Sequence, residues 1–474
     1  MRLGIRDVGL SMTDCTTRLP FRFGISTLTF APMCTAGVTI ESEDGRVARG
    51  FSAELLVPKW FEKVPEQSAE TDIARLLASA EAAARQALAS PDDLTVFEHW
   101  RRIHAACVPD DARDGLLRGF GVALIERAII DAACRAAGVS FFDGVRGGLL
   151  GFDAGEVHAD LAPWRPADLP APRTRVRVRH TVGLLDSIRR DDVPADERRD
   201  DGLPESLDED IDRYGLTHFK IKVGGDRAAD LDRLRRIGEV IAEKVAAPRI
   251  TLDGNEQYTD MDELAALLRA LEADEVGRRL LSWLLHIEQP IARANSFDPA
   301  ATRAIDQVTA FAPVIIDEAD AGLHAFERAA KCGYRGISVK NCKGVFRSLV
   351  HKARCDLSGG RLFQSAEDLT NLPVLPLQQD LATVALLGLD HVERNGHHYF
   401  HGLDHLPGVE VEAALAHHPD LYAPLGSGAQ LRIEDGEIRC ESLACPGYGH
   451  RGDIAEAART PAQRWRWPAS HTRT

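Results

Sequence analysis

Six charged residues at the ends of short apolar runs carry the chemistry available to this sequence. Phe219-Lys220-Ile221-Lys222 closes one run, and strand alternation turns both lysines to one side, with Phe219 and Ile221 on the other. Three later runs close on acids: Asp253-Gly254-Asn255, Glu288-Gln289-Pro290 and Asp317-Glu318. The next ends in Lys340, with Asn341 and Lys343 after it. Three carboxylates brought to one point suit a hard divalent cation such as Mg²⁺, which keeps positions for water or substrate. A single strand-end carboxylate is usually a helix N-cap. Three in succession facing two lysines are poorly explained that way. Lysines turned into a closed barrel are costly unless something anionic faces them. A ligand held on the cation would then have ammonium groups on two sides.

Placing these residues together requires strands. Eight candidates follow one another at 175–183, 217–223, 249–253, 284–288, 313–317, 336–340, 361–365 and 389–393. From start to start they are 42, 32, 35, 29, 23, 25 and 28 residues apart, room for one helix each. Eight such units make a (β/α)₈ barrel over residues 170–424, with an active site at the carboxyl ends of the strands. The long first interval holds the charge-dense stretch 184–212, read as a solvated insertion. Residues 1–60 alternate as strands, and 68–137 show the three- and four-residue apolar spacing of helices. Residues 1–150 therefore read as a separate α+β domain. A Pro- and Ala-rich linker follows it at about 150–176. LRIEDGEIR reads as a hairpin around Asp435–Gly436. The basic end, 456–474, reads as a loosely held tail.

The composition excludes several classes. Lys plus Arg is 57 against 72 Asp plus Glu, a formal charge of −15, which disfavours a nucleic-acid backbone binder. No run approaches the roughly 18 apolar residues of a membrane span, and the acidic start does not resemble a secretory leader. Nine scattered cysteines without a C-x-x-C pair read as ordinary thiols of a reducing cytoplasm. PVIIDEAD looks like the acidic box of RNA helicases, but no Gly-Lys pair is present for the phosphate loop such an enzyme needs.

Five motifs in order make the sequence similar to the enolase superfamily. It most resembles the mandelate racemase/muconate lactonizing group, and within that the lysine–lysine muconate lactonizing subgroup. FKIKVGG resembles the group's K-x-K strand and LDGNEQY its D-x-N strand. IEQPI resembles its E-Q-P strand, IIDEA its D-E-S strand, and SVKNCKG its sixth-strand lysine motif. ERAIIDAACRAAGVSFFDGVRGG looks like its helical D-x-A segment and LACPGYG like its P-G-L-G segment. Ala319 replaces the usual Ser, and the seventh and eighth strands match no particular subgroup.

The resemblance implies an α+β capping domain, completed by residues at about 425–455, over a (β/α)₈-type barrel, and a homo-oligomer. It implies Asp253, Glu288 and Asp317 as ligands of Mg²⁺, or of Mn²⁺. Lys222 becomes the base, Lys220 the electrostatic partner of the substrate carboxylate, and Lys340 the acid or base on the opposite face. The substrate is a small-molecule carboxylate, whose α-proton is removed to a metal-stabilised enolate. A lysine serves as base only when partly neutral, and a neighbouring ammonium, a cation and burial all favour that form. Two lysines on opposite faces permit racemisation or epimerisation, the preferred reading. Elimination by a lyase or dehydratase, cycloisomerisation, and an inactive metal-binding barrel are the alternatives. For substrate recognition the expected residues are Asn255, with Arg22 and Phe23 from the capping segment 18–30. His397 and His398 are candidates for the pocket wall.

Overall fold

The computed structural model describes residues 1–109 and 112–469. The amino-terminal part is an antiparallel sheet of three strands, β1 (Arg2–Phe23), β2 (Ser26–Ser42) and β3 (Val47–Leu55). Val8 pairs with Val38, and Val38 with Gly50. Three helices cover it: α1 (Ala69–Leu88), α2 (Val96–Cys107) and α3 (Gly115–Ala137). Ser68 caps the first, and a Thr95–Glu98 capping box starts the second. Helix α3 is apolar on most faces because it is buried between the sheet and the barrel. It approaches β3 so closely that a Cβ on Gly50 would lie 2.1 Å from the Ala132 nitrogen.

Eight parallel strands follow: Arg175–Val182, His218–Lys222, Arg249–Asp253, Leu284–Glu288, Val314–Ile316, Gly336–Val339, Phe363–Ala366 and His391–Arg394. Each pairs with the next, and the eighth closes on the first with Val392 opposite Val178. The apolar members of each strand, such as Phe219, Ile221, Ile250 and Leu252, are fully buried under the helices. The polar members fill the barrel.

Two readings of the carboxyl-terminal part change. Glu434 and Glu437 bridge the expected turn, but Glu437–Arg439 then pairs antiparallel with the first barrel strand instead of folding back as a hairpin. The basic end is docked, not loose. Thr460–Pro461 pairs with β1, Ala462 and Arg459 are buried, Arg459 holds Glu410, and Trp465 Nε1 donates to Asp14 at 2.9 Å. Residues 470–474 lie outside the described residues. The 184–212 stretch is anchored too: Asp201 pairs with the buried Arg18 of β1 at 2.7 Å, and Ile188 and Leu203 are buried. Among the described residues no helix is long and apolar enough to cross a membrane.

Candidate active site

Parallel pairing sets Lys222 beside Asp253, and Asp253 beside Glu288, at the same level on three adjacent strands. Glu288 pairs with Ile315, so Asp317 stands two residues further along its strand. Asn255 turns the chain after the third strand with a left-handed φ of 39°, and its N–H donates to Asp253 Oδ1 at 2.8 Å. Its side-chain amide donates to Glu318 at 3.2 Å. All four acids are buried, so every charge needs a partner nearby.

The lysines supply those partners. Lys222 Nζ lies 2.6 Å from Asp253 Oδ2, and Lys340 Nζ lies 2.7 Å from Asp317 Oδ2. Lys343 sits 2.9 Å from the other Asp317 oxygen. Burial works against ionisation of Asp317, but Lys340, Lys343 and Lys220 outweigh it and hold its carboxyl far below the usual range. Lys220 differs from the other three. Its ammonium lies 2.6 Å from Glu288, 2.8 Å from Glu393, 2.9 Å from Glu367 and 3.0 Å from Asp253. Burial opposes its charge, yet the four carboxylates raise its pKa well above the ordinary value. Burial also opposes the charge on Lys340, but Asp317 keeps this pKa raised as well. The expectation of an easily neutralised lysine does not hold for either group in this state.

Three residues of this network were not anticipated. Arg179 of the first strand pairs with Glu367, which follows the seventh strand, and Glu393 lies on the eighth. Glu393 ends its run in the sequence just as Asp253 and Glu288 do, so the same rule identifies it.

Above the strand ends lies a cavity of ≈ 300 Å³. Phe21, Phe23, Val57 and Trp60 of the capping domain close it from above. Lys222, Asn255, Lys340 and Glu393 border it from below, joined by Asp368, Leu369, Thr370 and Asn395. The Trp60 ring lies over Lys340, with Nζ 4.6 Å from its centroid. Phe23 is therefore where the sequence places it. Arg22, one residue away on an alternating strand, points to the other side and donates to Thr27 Oγ1 at 3.0 Å. His397 and His398 do not border this cavity; they lie behind the first strand, near His180 and Asp210.

The donor set fits a divalent cation chemically. Neither oxygen of the fully buried Glu288 receives an aligned hydrogen bond, and one oxygen of Glu318 is equally unpaired. Burial together with Asp253 and Glu367 pushes the Glu288 carboxyl well up, while burial and Asp317 bring Glu318 to about 7. Added positive charge relieves both. The present conformation is closed on ammonium groups, with Lys220 between Asp253 and Glu288. Among the described residues, donor trios within 4.8 Å of one another are His158–His324–Glu327 and His180–Asp210–His397; the three carboxylates are not such a set. The step in register before Asp317 and the intervening lysines account for this.

Residues 203–361 match the family model described as enolase C-terminal domain-like. Over these matched residues the barrel is similar to that of the enolase superfamily, in its mandelate racemase/muconate lactonizing group. No curated protein matches the sequence. Solved structures share this fold, barrel and cap together, at low identity. An enolase from Bradyrhizobium, crystallised with magnesium and mandelic acid, aligns with a TM-score of 0.60 at 17% identity, over 95% of this chain and 96% of that one. A muconate lactonizing enzyme from Mucobacterium smegmatis, in complex with muconolactone, gives 0.60 at 19%, over 97% and 100%. A dipeptide epimerase from Enterococcus faecalis V583, with Mg and L-Leu-L-Tyr, gives 0.59 at 15%, over 95% and 99%.

Proposed function

We propose that this chain is an isomerase that moves the α-proton of a small carboxylate from one face of its α-carbon to the other. The observation that carries the reading is the placement of Lys222 and Lys340. They stand on the second and sixth of eight strands, opposite one another across the closed barrel, and border the same cavity. Each is held by a single aspartate.

Asp253, Glu288 and Asp317 would hold Mg²⁺ once the ammonium groups give way, and a bound Mg²⁺ would supply charge stabilisation to a substrate carboxyl. Lys222 is the base: its neutral form takes the α-proton on its face. Lys340 is the acid in that direction and delivers a proton from the far side; the roles exchange in reverse. Release of Lys222 from Asp253, once that carboxylate served a cation, would free its amine for the α-carbon. Lys220, expected from the sequence to face the substrate carboxylate, does not border the cavity; it stays charged against Glu367 and Glu393 and holds those carboxylates in place. Asn255 positions Asp253 through its N–H. Phe21, Phe23, Val57 and Trp60 exclude water and favour a substrate that is apolar beyond its carboxylate.

The test is proton exchange in D₂O with a library of chiral carboxylates, with and without Mg²⁺. Mg²⁺-dependent deuterium incorporation into both enantiomers is the expected result. Incorporation without interconversion, together with loss of water or another leaving group, assigns the barrel to elimination instead.

A further inference from the structure

We propose that His180, Asp210 and His397 form a second metal site, outside the barrel, that takes a transition cation of the Zn²⁺ type. It lies behind the first barrel strand. Arg179 and Thr181 point inward, to Glu367 and Glu393, so the intervening His180 points outward. Asp210 comes from the helix Leu207–Tyr214, which ends the charged insertion. His397 comes from the turn after the eighth strand.

The three residues offer donor atoms that all lie within 4.8 Å of one another. His180 Nδ1 shares a hydrogen bond with His397 Nε2 at 3.0 Å, while the other ring nitrogen, Nε2, lies 3.6 Å from Asp210 Oδ2. Tetrahedral zinc with bonds of 2.0–2.1 Å separates its ligand atoms by about 3.3 Å. Only one ring nitrogen of His180 can serve a single cation, so binding would exchange one of its two present contacts for the metal. Two imidazoles with one carboxylate are a common zinc combination.

A second observation points to a ligand. Asp210 is fully buried, and neither of its oxygens receives an aligned hydrogen bond. Among the described residues its ionic neighbours are imidazoles alone, His180 at 3.6 Å and His398 at 2.8 Å. A buried carboxylate normally has its lone pairs filled. A His398–Asp210 ion pair at Oδ2 accounts for the charge, yet it leaves the buried Oδ1 without any donor. His398 then acts from outside, orienting Asp210. His397 also borders a cavity shared with Tyr214 and Arg394.

Such a site joins two segments to the barrel wall, the insertion and the 395–399 turn. Both touch the lid of the catalytic cavity. Tyr399 stacks on Phe21 with centroids 4.2 Å apart, and Asn395 borders the cavity itself.

The experiment uses the untagged full chain, stripped with chelator and kept in excess Mg²⁺ so that the barrel carboxylates are saturated. Co²⁺ is titrated in and followed by its visible absorption and by elemental analysis, then displaced with Zn²⁺. One Co²⁺ per chain with tetrahedral absorption is expected, and it should persist in Asp253→Asn. His397→Ala, at a half-buried position, should weaken binding at least about 100-fold, and His398→Asn about 10- to 100-fold. The melting temperature of the parent should rise with Zn²⁺ while that of His397→Ala stays put, which separates loss of the site from loss of the fold. Absence of stoichiometric Co²⁺ under Mg²⁺, binding unchanged in His397→Ala, or binding lost in Asp253→Asn would each overturn the proposal.

Discussion

Lys222 and Lys340 each face one aspartate at the edge of a cavity, whereas Lys220 is enclosed by four carboxylates and has no open side. The two arrangements divide the barrel. Lys222 and Lys340, from strands two and six, each have one carboxylate partner, although Asp253 also touches Lys220 and Asp317 also touches Lys343. Strands one, seven and eight feed Arg179, Glu367 and Glu393 into a cluster centred on Lys220. A pair with one partner can be opened by a substrate or a cation. A cluster with four partners keeps its proton and its place. The first kind suits proton transfer and the second suits fixed charge, although all three lysines sit on the same barrel.

Removing the mobile groups should have the largest effect. Lys222→Ala and Lys340→Ala are each expected to abolish interconversion, a loss of at least about 10²–10⁴-fold, with melting temperature little changed. Each variant should still exchange the α-proton of one enantiomer in D₂O, and the two variants should favour opposite enantiomers. If either lysine is dispensable, the two halves of the barrel are not divided as described.

Substitution of the enclosed lysine should act on stability. Lys220→Met leaves four buried carboxylates without their shared countercharge, and breaking a buried ion pair from one side costs about 3–5 kcal/mol. Urea denaturation should show that loss, while Lys222→Met should cost far less. Equal costs would remove the distinction.

Cation binding should sharpen the contrast further. Mg²⁺ at about 100 times its dissociation constant should add roughly 2.7 kcal/mol of stability. Glu288→Gln and Asp317→Asn should abolish the shift, and Glu393→Gln should retain most of it. Thermal denaturation with and without Mg²⁺ measures this.

The last effect, a slope with pH rather than a loss at one pH, is at the seam between cap and barrel. Glu126 of α3 accepts the Phe346 N–H at 2.7 Å and leaves its other oxygen unpaired. Burial pushes its carboxyl up to about 8. The folded state thus keeps a proton that the unfolded chain releases near pH 4.3. Between about pH 4.3 and 8 the folded state binds more protons, so this group's contribution to stability falls as pH rises. Glu126→Gln removes that slope. Its melting temperature relative to the parent should rise between about pH 5 and pH 8.5.

The eight strands were legible because their spacing and alternation are local properties, and each observed strand overlaps its expected span. Asp253, Glu288 and the K-x-K pair were legible because strand ends announce themselves. Arg179 was not. It shares a face with Arg175 and Arg177, which are exposed, and alternation gives the face but not the depth along a strand. Glu367 was hidden because it follows its strand rather than ending it. Arg22 shows the reverse error, since alternation with Phe21 and Phe23 already turned it away. The docking of 456–465 depends on contacts with residues more than 400 positions earlier, and no local pattern carries those.

That last contact has a kinetic consequence. Ser11 and Met12 pair with Pro461 and Thr460, Arg49 binds Glu456, and Asp131 accepts the Tyr448 N–H. The capping sheet is begun by residues that precede the barrel and completed by residues that follow it, with the whole barrel between. Contacts of such high sequence separation form late and slowly. On the ribosome, β1 must wait with an unpaired edge until the barrel has closed. Chains truncated before residue 456 should therefore build a barrel yet aggregate through the open side of the cap, and turnover would begin only after the two ends meet.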